Sequence, residues 1–316
     1  MPEYYAAWWN LENLFDTEAA QRSDKLKRSI QSELRGWNEK ILDCKTSQLS
    51  KIISKMNNGT GPDILGVCEV ENKTVLEKLV DKINLPQRKY GIAHDDTKDK
   101  RGIDVAFIYD SSKFTLKRQF SHWIIKRNAT RDIFQINLKI KNSDVEIVCI
   151  GNHWPARIGG VLKSEPYRII AAEALSYFHQ RIKEEIGDNT PILVMGDFND
   201  EPFSRSIMDY ALSTNISEKL KRARSPKLFN LMWPFLAHGD ATHHYGDGEI
   251  LDQFMVSKGF LFNKSKLSIK KDSVKIEKFS EMTKRGKPLR FGRPSKSHNK
   301  NGFSDHYPIS LVILKK

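Results

Sequence analysis

Pro191-Ile-Leu-Val-Met-Gly-Asp-Phe-Asn-Asp200 is the stretch on which the fold turns. Ile192 to Met195 is an unbroken apolar run after a proline, the pattern of a short strand buried on both faces. Gly196 ends it. Asp197 and Asn199 follow two apart, so on a continuing extended backbone both face the same side. Asp-Asn pairs are common in turns. A carboxylate and an amide delivered together at the end of a core strand also suit a site that holds a phosphate, a metal or an attacking water. The remainder of the chain decides between the two.

The same arrangement recurs. Tyr4–Trp9 reads as a core strand and ends at Asn10-Leu-Glu-Asn. Asp63–Cys68 reads as another and runs straight into Glu69. An acid continuing a buried strand is unfavourable unless something pairs with it, and a hard divalent cation is one such partner. The strand Val145–Ile150 leads to Gly151-Asn-His153-Trp-Pro-Ala-Arg157. Asp305-His306 precedes the last strand, Ile309–Leu314, and Asp104 and Asp252 lie at strand starts. Helices are expected from Cys44 to Met56 with Asp43 as cap, at Thr74–Ile83, at Ser164–Ile186 with Ser164 as cap, and at Ser206–Leu220. On the third of these, Ile170, Ala174, Phe178 and Ile182 mark one face.

Independent turns do not account for five polar strand ends. If neighbouring strands bring them to one edge, acids, amides and imidazoles cluster as metal-assisted hydrolysis of a phosphate ester requires. Strands continue to the end of the chain, so one α/β domain over 1–316 is expected.

The composition limits the partners. The net charge is +13, and residues 261–303 hold 13 Lys/Arg against 3 Asp/Glu. Charge concentrated in this way favours a polyanion-binding face. That stretch reads as mostly loop. No apolar run approaches the roughly 20 residues that span a bilayer, and no secretory leader is visible. The expectation is therefore no membrane partner and a cytoplasmic location. Cys44, Cys68 and Cys149 have no metal-like spacing and read as reduced thiols.

Trp9-Asn10-Leu-Glu-Asn, Leu65-Gly-Val-Cys-Glu69-Val-Glu-Asn, Asn152-His153-Trp-Pro, Gly196-Asp197-Phe-Asn199-Asp, Leu251-Asp252-Gln and Ser304-Asp305-His306-Tyr-Pro together resemble the endonuclease/exonuclease/phosphatase superfamily, in its order and over residues 9–308. The resemblance implies a four-layered α/β sandwich, with two mixed, mostly antiparallel sheets face to face and helices outside. It implies Glu69 as principal metal ligand with Asn10 and Asp305 close by, and Mg²⁺, or Mn²⁺ in its place, as cofactor. Asp197 would position or deprotonate the attacking water, and Asn199 would bind the scissile phosphate. His306, oriented by Asp252, would contact that phosphate or act as base. His153 would sit near the leaving oxygen, with Asp104 orienting it. Arg157 and Arg168 are candidate phosphate contacts, with surface or helix-face charge as the plain alternative. Cys68 stands where the family often has glutamine.

The activity implied is a metal-dependent phosphodiesterase acting on nucleic acid, DNA ahead of RNA, as endonuclease or exonuclease. The alternatives are a phosphoesterase for inositol phosphates or sphingomyelin-type lipids, and a nucleic-acid-binding protein on a dead enzyme scaffold. Leu231–Leu236 is the one candidate lipid-facing loop, and packing inside is the expectation for it.

Overall fold

Side-chain alternation along the first strand sets the layering. In β1 (Glu3–Leu14), Tyr4, Ala6 and Trp8 enter one core while Tyr5, Ala7, Trp9 and Leu11 enter another. This is the period of two of a strand buried on both faces. The computed structural model describes residues 1–97, 99–125 and 131–316. After β1 come α1 (Asp24–Leu34), α2 (Glu39–Gly59), β2 (Ile64–Val70), α3 (Lys73–Lys82), β3 (Tyr90–His94) and β4 (Asp104–Asp110). Next are β5 (Phe114–His122), β6 (Ile133–Ile140), β7 (Glu146–His153), α4 (Val161–Glu185) and β8 (Ile192–Asp197). Shorter strands follow: β9 (Ser213–Thr214), β10 (Leu228–Asn230), the hairpin of β11 (His243–Tyr245) and β12 (Asp247–Glu249), β13 (Asp252–Val256), β14 (Leu267–Ile269) and β15 (Lys275–Ile276). Two small hairpins, β16 (Thr283–Lys284) with β17 (Lys287–Pro288) and β18 (Gly292–Arg293) with β19 (Ser297–His298), precede β20 (Ile309–Lys315).

Two seven-stranded sheets result. One has the order β14-β20-β1-β2-β4-β3, with β15 also on β20; the other runs β5-β6-β7-β8-β13-β10-β9. Trp8, Cys68, Phe107, Phe134, Cys149, Met195 and Phe254 pack between them. Outside the first sheet, Leu49, Ile52 and Ile53 of α2 and Leu76 and Leu79 of α3 cover Trp9 and Val67. Outside the second, Ala171, Leu175 and Ile182 of α4 cover Val148, Ile150 and Val194. Helix, sheet, sheet and helix are the four layers expected. Gly66 lets the sheets approach, because a Cβ there would lie 2.7 Å from Met195 Sδ and 2.7 Å from Trp8.

Strand direction creates the functional rim. β1 and β2 are parallel, so their C-terminal ends, at Asn10 and Glu69, lie together. β7 and β8 are parallel, so His153 pairs in register with Asp197. β13 and β20 run antiparallel to these partners, so their N-terminal ends reach the same edge. Asp252 is directly opposite Asp197.

Several local expectations are corrected. The helix expected from Cys44 starts at Glu39, where the Asn38 side chain accepts from the Ile41 N–H and caps it in place of Asp43. α4 starts at Val161, so Ser164 lies inside it and donates its hydroxyl to Gly160 O at 2.7 Å. Its buried face is shifted: Ile170 is exposed and Ala171 buried, because Ala171, Leu175 and Ile182 are the side chains that meet the sheet. An 11-residue helix, α1, occupies the polar segment between β1 and α2. Residues 206–220 are not one helix but a π-turn, the strand β9 and the start of a short helix, since Ser213 and Thr214 pair with β10. The basic stretch is mostly loop, as expected, and is interrupted by the two- and three-residue strands β14 to β19. Leu231, Phe235 and Leu236 are half-buried against the inter-sheet core. Among the described residues, no helix is long and apolar enough to cross a membrane.

Candidate active site

Glu69 reaches the rim through a backbone irregularity. The β2 register shifts between Cys68 and Val70, and Glu69 has φ +62°. A non-glycine residue in this left-handed region costs about 1–2 kcal/mol. A β-bulge breaks the ladder locally and re-aims a side chain. A second shift, between Asn10 and Leu14, places Glu12 and Asn13 at φ +52° and +55°. Asn199 is also left-handed, at φ +49°. Strain collects where the strands hand their polar ends to the site.

The Asp197 carboxylate is the hub. Its Oδ2 accepts from Asn10 Nδ2 at 3.0 Å, and its Oδ1 accepts from the Asn199 N–H at 2.9 Å. The Nε2 atoms of His153 and His306 each stand 3.8 Å from Oδ2. That spacing is too long for direct hydrogen bonds and leaves room for a bridging oxygen. His153 Nε2 is also 3.7 Å from Glu69 Oε1. Asn199 donates its side-chain amide to Trp154 O at 3.0 Å.

His306 is held from behind. Its Nδ1 is 2.7 Å from Asp252 Oδ2, and the indole N–H of Trp8 donates to Asp252 Oδ1 at 3.0 Å. The Ser304 hydroxyl donates to Asn10 O at 2.6 Å and accepts the His306 N–H at 3.1 Å, tying β1 to the approach to β20.

The charges are strongly coupled. Burial alone would discharge His306, but the carboxylates of Asp252 and Asp197 outweigh it and raise its pKa well above the ordinary histidine value. Burial, with a contribution from Asp252, pushes Asp197 up to about 7 against the opposing pull of His306. His153 goes the other way: burial, then Arg131, Arg101 and His306, hold it well below the usual range. For Glu69, burial favours the acid, but Arg101 and Arg131 dominate and lower its pKa.

Glu69 and Asp305 are the rim carboxylates that would hold a hard cation. Glu69 Oε2 accepts the Asn13 N–H at 2.8 Å, while Oε1 has Arg101 and His153 no nearer than 3.9 and 3.7 Å. That oxygen is ionised, free of a close donor and at the rim, as Mg²⁺ requires of a carboxylate ligand. Asp305 is partly exposed, with Arg290 Nη2 at 3.3 Å. Asn10 departs from the expected role. Its Nδ2 is committed to Asp197 and its Oδ1 to the Glu12 N–H at 2.9 Å, so it orients Asp197.

Two further expectations are corrected. Asp104 does not orient His153: its Oδ1 accepts from the Thr97 hydroxyl at 2.5 Å, and its Oδ2 faces His94 at 3.4 Å. With Asp96, these two residues bring three potential metal-donor atoms within 4.8 Å of one another. Arg168 is fully buried and spent on Asp200 at 2.7 Å, so it anchors α4 to the loop after β8 and cannot meet a substrate. Arg157 donates to Asn199 O at 2.6 Å and pairs with Glu249. It lines a cavity of about 670 Å³ beside the rim, together with Asn199, His243 and Tyr245.

Other residues at the site escaped the sequence reading. The Arg131 guanidinium lies against His153, with Nε–H donating to Nδ1 at 3.2 Å and Nη2 3.0 Å from Nε2. Its signal was available, since Arg131-Asp132 precedes a core strand antiparallel to β7. Glu12, almost fully buried, accepts from Arg290 and from the N–H groups of Phe291 and Gly292. Lys45 is fully buried and donates to Phe303 O at 2.7 Å. Burial pushes its pKa down to about 8, against the pull of Glu12, Asp305 and Glu69.

Residues 5–316 match the family described as Endonuclease/Exonuclease/phosphatase family. No curated protein matches the chain in sequence. Among solved structures, a Bacteroides thetaiotaomicron protein of that family is similar at 15% identity and TM-score 0.59, covering 100% of this chain and 98% of its own. The human Nocturnin catalytic domain with bound sulfate is similar at 17% identity and TM-score 0.54, covering 99% and 95%. The mannosyl-6-phosphatase Bt3783 of Bacteroides thetaiotaomicron VPI-5482 is similar at 16% identity and TM-score 0.56, covering 98% and 99%. Identities this low speak to fold alone.

Proposed function

The chain belongs to the endonuclease/exonuclease/phosphatase family, and from that premise we propose that it is a Mg²⁺-dependent phosphodiesterase hydrolysing nucleic acid, DNA ahead of RNA. Phosphoester hydrolysis follows from the family; the substrate and the metal are the proposal. One observation carries the choice of a polyanion. The basic stretch does not lie apart from the rim: its Arg290 pairs with Glu12 at 2.7 Å and stands 3.3 Å from Asp305. Lys284, Arg285, Lys287, Arg290, Lys296 and Lys300 of the later part of the stretch are exposed, which supports a positive surface beside Asp305, whereas residues 264–271 lie by the far end of β20.

The chain's own groups suit the reaction. Asp197, with a pKa near neutrality, takes a proton from an attacking water at neutral pH, aimed by Asn10 and the Asn199 N–H. His306 stays protonated on Asp252 and offers an N–H to charge developing on the phosphate. Neutral His153, with Nε2 3.8 Å from Asp197 Oδ2, is the residue assigned to the leaving oxygen. Glu69 and Asp305 would hold the cation, which when bound supplies positive charge to a phosphate oxygen.

The test is a cleavage panel in Mg²⁺ with plasmid, single-stranded DNA, RNA, inositol phosphates and mannose 6-phosphate. DNA is degraded or nicked, and Asp197→Ala and His306→Ala each lose at least about 10²-fold of that activity. Turnover confined to the small phosphate esters would overturn the nucleic-acid reading. DNA cleavage unchanged in both variants would overturn the site assignment.

A further inference from the structure

A second cleft lies on the outer face of the second sheet, between the edge strand β5 and α4, with a volume of about 290 Å³. It is at the small end of ligand cavities, large enough for one planar ring system. Elsewhere this face is aliphatic, with Ile133, Val148 and Ile150 under α4. Here two amides, Gln135 and Asn137, are 3% and 4% exposed. Burying amides under a helix is unfavourable unless their hydrogen bonds are met.

Their bonding has one direction. Gln135 Nε2 donates to Asn137 Oδ1 at 2.7 Å, which leaves Gln135 Oε1 to accept from His122 Nε2 at 2.8 Å. The relay ends on the Asn137 amide N–H₂, which has no protein acceptor among the described residues and lines the cleft. Aromatic rings form the walls. His122 stacks on Phe178 with centroids 3.8 Å apart and on Phe120 at 5.8 Å, and Tyr177 is 59% exposed beside them. At the mouth, Arg118 is exposed and has no ion-pair partner among the described residues, while Glu185 is taken up by Arg181.

A buried donor, flat aromatic walls and a free cation at the mouth are together complementary to an acceptor-bearing aromatic ring that carries an anion. We propose that this cleft is a nucleotide site, with the base stacked on Tyr177, its acceptor edge on Asn137 and its phosphate on Arg118. His122 pairs with Ile133, and Phe134 with Gly151, so the His122 end of the cleft lies two strand spacings, about 10 Å, from the His153 strand end, and Arg118 and Asn137 lie farther from it, level with Val148. A free nucleotide and a nucleotide of a bound single strand share this chemistry. The inference does not depend on the rim being a nuclease.

Calorimetric titration of the full chain in EDTA tests it, with AMP, adenosine, inorganic phosphate and a short oligodeoxyadenylate as probes. AMP binds one-to-one and more tightly than adenosine or phosphate. Tyr177→Ala and Arg118→Glu, both surface changes that leave the core intact, each weaken AMP roughly tenfold, as loss of one base–aromatic stack does. Asn137→Leu does the same, while Asp197→Asn leaves AMP binding unchanged. An oligonucleotide that outcompetes AMP identifies a strand as the source; the reverse order identifies free nucleotide. The proposal fails if AMP does not bind at millimolar concentration, if phosphate alone matches AMP, or if only Asp197→Asn weakens binding. Retained cleavage in Arg118→Glu separates failure at this cleft from failure at the rim.

Discussion

Replacing Asp252 with Asn tests the charge relation at the centre of the site. Asp252 is fully buried and accepts from Trp8 Nε1 at 3.0 Å and from His306 Nδ1 at 2.7 Å. Asn has the same shape, so Trp8 keeps its acceptor and the amide N–H₂ turns toward His306 Nδ1. The imidazole must then accept at Nδ1 and loses the carboxylate that outweighs its burial. Removing one member of a buried ion pair costs about 3–5 kcal/mol. If most of that falls on the transition state, kcat/KM at pH 7 drops about 10²- to 10³-fold. The histidine pKa also falls, so the high-pH limb of the rate profile moves to lower pH. The assay is hydrolysis of bis-p-nitrophenyl phosphate from pH 5.5 to 9 in Mg²⁺, with thermal melts to verify folding. A variant with unchanged Tm, a rate within threefold of the parent and the same pH profile would refute the coupling of Asp252 to His306.

Three other outcomes are expected. With Mg²⁺ at ten times its Kd, a ligand that binds only the folded state adds about 1.4 kcal/mol, so Mg²⁺ raises the parent Tm and the rise disappears in Glu69→Gln. Arg131→Ala removes a cation that holds His153 neutral, so NMR titration finds the His153 pKa moved up and hydrolysis falls about tenfold or more. His179, on the buried face of α4, is held at a pKa of about 3, chiefly by burial. The unfolded chain therefore binds more protons than the folded one between about pH 6.5 and 3, and stability falls as pH falls through that window. Acidification from pH 7 to 5 costs about 2 kcal/mol through this group. His179→Gln flattens the Tm–pH slope by that amount, though His243, also held at about 3, continues to contribute with the same sign.

The amino-acid sequence by itself determined the strands and the polarity of their ends. A run such as Ile192–Met195 is buried on both faces wherever it sits, and Asp197 must then leave the core at its end. Glu69, His153, Asp197, Asn199 and His306 were legible for that reason, since their signal is local. Tertiary structure decided which charges meet. Arg168 and Arg157 look alike along the chain, yet one is sealed on Asp200 and the other opens on a cavity. Arg131, Glu12 and Arg290 entered the site only through strand direction and a bulge. Asp104 stands at the expected strand start, but Thr97 and His94 claim it. Burial pattern is written in neighbours two to four residues apart, whereas a buried charge is satisfied by whatever partner the fold brings within about 3 Å, often a hundred residues or more away.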